Sequence, residues 1–171
     1  DACAETRRAH FLVRQRRVLT GNDPVEIEMN GPSQLNFSSN DYLGLASHPD
    51  LVEALKHAAD SHGVGSGASA LVTGFRTEHQ LLEQELAEFL QREKVLLCSS
   101  GYLANLAVAT SLMGKGDTII QDKLCHASLI DAARLSGAGL SRYGHLDMAV
   151  LQRRLAAVTR GNKLVVSDGI F

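Results

Sequence analysis

From residue 77 onward the hydrophobic and polar positions alternate between two periods. "TEHQLLEQELAEFL" places Leu82, Leu86, Phe89 and Leu90 on one face at helical spacing, with Thr77 and Gln80 set as a capping box. "KVLLC" reads as a short buried strand, "GYLANLAVATSLM" as a helix, "DTIIQ" as a strand and "HASLIDAARLS" as a helix. "GLSRY" and "KLVVSDG" then read as strands flanking the helix "DMAVLQRRLAAV". Strands alternating with helices of this length predict βαβ units, an α/β fold with a mainly parallel sheet and helices on its faces.

The first third is less regular. Residues 6–19 can form a helix with Ala9, Leu12 and Val13 on one face and five arginines outside. "VEIEM", bracketed by turn residues, reads as a short surface hairpin. "HPDLVEALKHAADSHG" is helical, with Leu51, Ala54, Leu55 and Ala58 as the expected buried stripe and Gly63 as its stop. The expected division is a segment 1–47 of helix and hairpin, followed by a larger α/β part, 48–171.

Composition narrows the function. A chain of 171 residues, 44% hydrophobic and 21% charged, can bury a core of its own. Its 17 basic and 19 acidic residues are spread along the chain, which gives no footprint for nucleic acid or an anionic membrane and favours small-molecule ligands. Cys3, Cys98 and Cys125 are odd in number and show no CxxC spacing, so a zinc cluster or disulfide framework is not expected, and a reducing cytoplasm is.

Three stretches carry candidate chemistry. In "CSSGYLANLAV" the amides of Gly101 and Tyr102 fall at a helix N-terminus, where the dipole and unpaired donors favour a phosphate, although a serine-capped turn explains the same residues. "GVGSGASALVTG" is a loop rich in small residues, whose backbone either approaches a ligand or second subunit or is simply flexible. His126 lies at a strand-to-helix junction. It is a helix cap on the plainer reading, but with Ser167 and Asp168 at another strand end the polar ends converge on one crevice of a parallel sheet.

"LNFSSNDYLGL", "GSGASALVTG", "EHQLLEQELAEFL", "SSGYLANLAV", "DKLCHASLIDAARLSGA" and "VVSDGIF" together resemble the α-oxoamine synthases, pyridoxal-phosphate enzymes of the aspartate-aminotransferase fold type. The resemblance implies that Gly101 and Tyr102 hold the cofactor phosphate through their amides. It implies that His126 stacks on the cofactor ring and helps position substrate, that Arg14 and Asn40 contact substrate, and that residues 63–74 lie near a homodimer interface. The implied reaction is a decarboxylative condensation of L-alanine with a pimeloyl thioester carried on CoA or on an acyl carrier protein, with glycine-using members as the nearest alternative.

The family's Schiff-base lysine, the aspartate that pairs with the pyridine nitrogen and a second histidine have no counterpart in these residues. None of Lys56, Lys94, Lys115, Lys123 and Lys163 sits in the family's lysine motif. The expectation is therefore the first part of a longer enzyme, inactive as this segment alone. Two departures stand out, Cys125 where serine or asparagine is usual and Leu146 where asparagine is common; Cys125 reads as a small buried hydrophobe.

Overall fold

A computed structural model describes residues 5–6, 9, 13, 16–20, 23, 25–29 and 31–171. Most of the basic segment 6–19, including Arg14, lies outside the described residues. The chain divides into two compact units, 1–74 and 75–171, so the boundary expected after Ser47 falls inside the first unit.

In the first unit, β1 (Glu26–Glu28) and β2 (Ser33–Leu35) form the expected hairpin, antiparallel with Ile27 opposite Gln34. The helix α1 (Pro49–His62) starts at His48, whose Nδ1 accepts the Asp50 amide, and stops at Gly63, where φ is +78°. That dihedral is open to glycine and costly for residues with a Cβ. The stripe expected to be buried on α1 is not: Leu51 and Leu55 are 51% and 72% exposed, because no described element of this unit packs over them. In the small-residue loop the close backbone approach is internal. Residues Ala70–Gly74 make a π-helical turn in which a Cβ on Gly74 would collide with the Ala68 carbonyl.

In the second unit α2 (Thr77–Phe89) begins one residue earlier than its capping pattern implied. Arg76 is the N-cap, and its amide donates to Nδ1 of His79 at 3.1 Å, so Thr77 is the first helical residue rather than the cap. The segment "KVLLC" is not a strand; it finds no ladder partner among the described residues, and the Leu97 amide donates to the Glu83 carboxylate at 3.0 Å instead. A strand is defined by its neighbour as much as by its own apolar run.

The remaining elements follow the alternating pattern. They are α3 (Gly101–Leu112), β3 (Thr118–Asp122), α4 (Ala127–Ser136), β4 (Gly139–Tyr143), α5 (Met148–Ala157) and β5 (Lys163–Val166). The sheet is parallel in the order β4-β3-β5, with Gln121 in register with both Arg142 and Val166. The crossover through α4 moves one way along the sheet and the crossover through α5 moves back past β3. Right-handed connections therefore put those two helices on opposite faces. Central β3 is accordingly covered on both sides: Ile119 and Ile120 point to opposite faces and are 1% and 0% exposed. Ile119 packs with Ala109, Met113, Ala132 and Ala133 in the core under α3 and α4.

Candidate functional site

Two strand ends and two helix starts make the site, all within the second unit. At the first helix start, Ser100 is the N-cap of α3 and its Oγ accepts the Leu103 amide at 3.2 Å. The amides of Gly101 and Tyr102 take no acceptor among the described residues, and a Cβ at Gly101 would meet nothing within 4 Å. The cap and the anion cradle are thus compatible: the serine satisfies the third amide and leaves the first two free for a negatively charged group. Tyr102 turns its ring toward α4, where its hydroxyl donates to Asp131 Oδ2 at 2.8 Å. That bond to a carboxylate, with help from burial and the Asp131 charge, holds the phenol above its ordinary pKa.

The second helix start is more heavily wired. His126 caps α4, its Nδ1 accepting the Ser128 amide at 3.2 Å and lying 2.7 Å from Ser128 Oγ. Ser128 is fully buried, and Asn105 Nδ2 from α3 donates to the same Oγ at 2.9 Å. The His126 backbone N–H donates to Asp168 Oδ2 at 2.7 Å, which ties the residues after β3 to the end of β5. His126 itself is exposed, so a backbone tied to Asp168 carries an imidazole that faces solvent. The convergence expected of His126 and Asp168 is therefore present as a direct bond, and His126 is at once a helix cap and an offered side chain.

Behind this turn sits Asp122, 2% exposed at the end of β3. Its Oδ1 accepts the Leu124 amide at 2.8 Å and its Oδ2 lies 2.9 Å from His145 Nδ1. Burial opposes ionisation of this carboxyl most strongly, but the Leu124 amide, His145 and the Leu146 amide outweigh it and hold the pKa below the ordinary value. Leu146 has φ +59°, a left-handed conformation that suits asparagine and strains leucine. Arg142 Nη2 donates to the Lys123 carbonyl at 2.7 Å and closes the turn from the β4 side.

Cys125 is 7% exposed, with Sγ 3.6 Å from the Val166 carbonyl. Burial, reinforced by the nearby Asp168 charge, raises its thiol pKa, which leaves it unsuited to nucleophilic work at neutral pH. Asn40 is exposed in the first unit, beside Asp41, whose carboxylate accepts the Leu45 and Ala46 amides at 2.8 and 3.2 Å. Sequence reasoning did not pick out Asn105, Ser128, Asp122 or His145. The available signals were a lone amide in the apolar run "YLANLAV" and a serine two residues after the histidine.

The model of the family "Aminotransferase class I and II" matches residues 32–171. The chain belongs to this family. It is 52% identical over 165 residues to the 8-amino-7-oxononanoate synthase of Stutzerimonas stutzeri, covering 96% of the chain and 42% of that protein. It is equally 52% identical over 170 residues to the 8-amino-7-oxononanoate synthase of Hydrogenovibrio crunogenus, again with 96% and 42% covered. The solved structure of SPT with PLP superposes on all of this chain with a TM-score of 0.88 at 28% identity, over 45% of its own length. The chain thus spans about two fifths of the length of the curated relatives it matches.

A phosphorylated pyridine needs free backbone donors for its phosphate and a flat, accessible side chain for its ring; the Gly101 and Tyr102 amides and the exposed His126 imidazole meet both needs.

Proposed function

We propose that the chain carries the phosphate-binding and ring-stacking part of a pyridoxal-phosphate-dependent acyltransferase. In this reading the whole protein condenses L-alanine with a pimeloyl thioester and releases CO₂ and the carrier thiol, giving 8-amino-7-oxononanoate for biotin synthesis. The observation that carries the reading is the pairing of two free helix amides at Gly101 and Tyr102 with an anchored, exposed His126, in a chain half identical to synthases of that name.

Bound here, pyridoxal phosphate would supply the electron sink for a carbanion at the amino acid's α-carbon. The residues of this chain do the holding. The α3 terminus would hold the phosphate with two amides and the helix dipole. His126, immobilised through Asp168 and Ser128, offers its imidazole to the ring, and Arg14 and Asn40 are assigned to substrate. The reactive lysine is not assigned to any lysine of this chain, and residues 63–74 are assigned to the neighbourhood of a homodimer interface.

The test uses the protein expressed from its own gene and supplied with pyridoxal phosphate. Thiol release from pimeloyl-CoA should depend on L-alanine and be faster than with glycine. Preference for glycine, or no thiol release with either amino acid, would overturn the assignment. Borohydride reduction of the 171-residue chain alone in the presence of the cofactor should trap no single defined lysine.

A further inference from the structure

The imidazole of His126 is constrained on one side only, and the constraint has a chemical sign. A backbone N–H can donate but never accept, so the Ser128 amide at 3.2 Å requires a lone pair on His126 Nδ1. The Ser128 hydroxyl, 2.7 Å from that same nitrogen, must then donate to it as well. Its oxygen keeps lone pairs for a third partner, and Asn105 Nδ2 fills that place at 2.9 Å. Each group in the series has one polarity available, running from the Asn105 amide through the Ser128 hydroxyl to Nδ1.

We infer that Asn105 and Ser128 are positioning residues that lock His126 in the tautomer protonated at Nε2 and fix the plane of its ring. The proton of the neutral imidazole is driven to the far nitrogen, so His126 presents a hydrogen-bond donor at its exposed edge rather than an acceptor. Burial protects the lock: Ser128 is 0% exposed and water does not compete for its hydroxyl. The Asp168 carboxylate holds the backbone of the same residue, so neither the ring nor its main chain can turn independently. The relay deepens the functional reading given above and rests on it only for what His126 serves: a stacking ring that also donates at Nε2 can hold an acceptor oxygen of substrate, whereas the other tautomer would repel it.

The experiment is nitrogen-15 NMR of histidine side chains in the protein expressed from its own gene, without cofactor or substrate. The His126 signal is assigned by its loss in His126→Asn. The wild type should show one tautomer, with an unprotonated Nδ1 and a protonated Nε2. Ser128→Ala keeps the backbone amide on Nδ1 but loses the hydroxyl donor, so the two nitrogens should move part of the way toward averaged shifts, and Ser128→Thr, which keeps the hydroxyl, should restore them. Asn105→Asp replaces the donor by an acceptor, draws the serine proton away from Nδ1 and should shift the ring in the same direction as Ser128→Ala.

A wild-type His126 protonated at Nδ1 overturns the inference without any variant, as does a folded Ser128→Ala or Asn105→Asp protein with unchanged His126 shifts. The readout involves no turnover. A protein with the locked tautomer that fails to condense alanine with the thioester would therefore retire the functional reading and leave the relay in place.

Discussion

The helix starts of α3 and α4 do opposite things. At Ser100–Gly101–Tyr102 the cap comes from the serine before the glycine, and two amides remain open to solvent. At Cys125–His126–Ala127 the cap is the functional side chain itself: Ser128 of the same helix bonds its ring, Asn105 backs that serine, and Asp168 holds the backbone N–H. The difference teaches that one junction receives a ligand with its main chain and the other presents a side chain. The first needs absence, a glycine with nothing near it. The second needs a buried polar framework, because an exposed imidazole is precise only when its other edge is bonded.

That comparison can be broken most severely at Asp122, which shapes the turn leading to His126. Asp122→Asn removes a carboxylate that three donors address, and it should give the largest fall in melting temperature among these variants, with the His126 junction losing protection from hydrogen exchange. The sign of the pH effect follows from the lowered folded-state pKa. Asp122 contributes stability above its unfolded pKa of about 3.9, and that contribution is lost as pH falls through the lower folded value. Wild-type melting temperature should therefore drop below about pH 4 more steeply than that of Asp122→Asn.

A smaller loss is expected at the tie between strands. Asp168→Ala removes the acceptor of the His126 amide and should cost about 1.5 to 3 kcal/mol by chemical denaturation, as hydrogen bonds to charged groups do.

The open junction should behave differently. Gly101→Ala meets no neighbour and replaces a poor helix former, so stability should hold or rise by up to about 1 kcal/mol while pyridoxal phosphate affinity falls. If affinity is unchanged, close approach of the phosphate to Gly101 is wrong.

The smallest effect sharpens the picture at the junction from β4 to α5. Leu146→Asn relieves a left-handed residue and keeps the amide that serves Asp122, so it should stabilise by roughly 0.5 to 1 kcal/mol in thermal unfolding.

Period and turn chemistry made most of the elements legible. The alternation of helix and strand from residue 101 to 166, the hairpin around "VEIEM" and the stop at Gly63 all follow from local patterns, because spacing and φ preference act within a few residues. Apolar spacing alone misjudged burial. Leu55 repeats with helical period and is 72% exposed, while Gln121 and Asp122 are polar and 0% and 2% exposed. "KVLLC" has a strand's composition but no partner among the described residues to pair with.

The sequence by itself determined which residue types could do chemistry here: a glycine at a helix start, a histidine after a strand, a polar pair ending another. Only the tertiary structure decided that Asp168 reaches His126 across 42 residues and that Asn105 and Ser128 meet behind its ring. It decided too that Leu146 sits in a conformation foreign to leucine. The physical reason is range. Helical period and capping are set by neighbours along the chain, whereas hydrogen-bond polarity and burial depend on which distant groups the sheet and its crossovers bring within 3 Å.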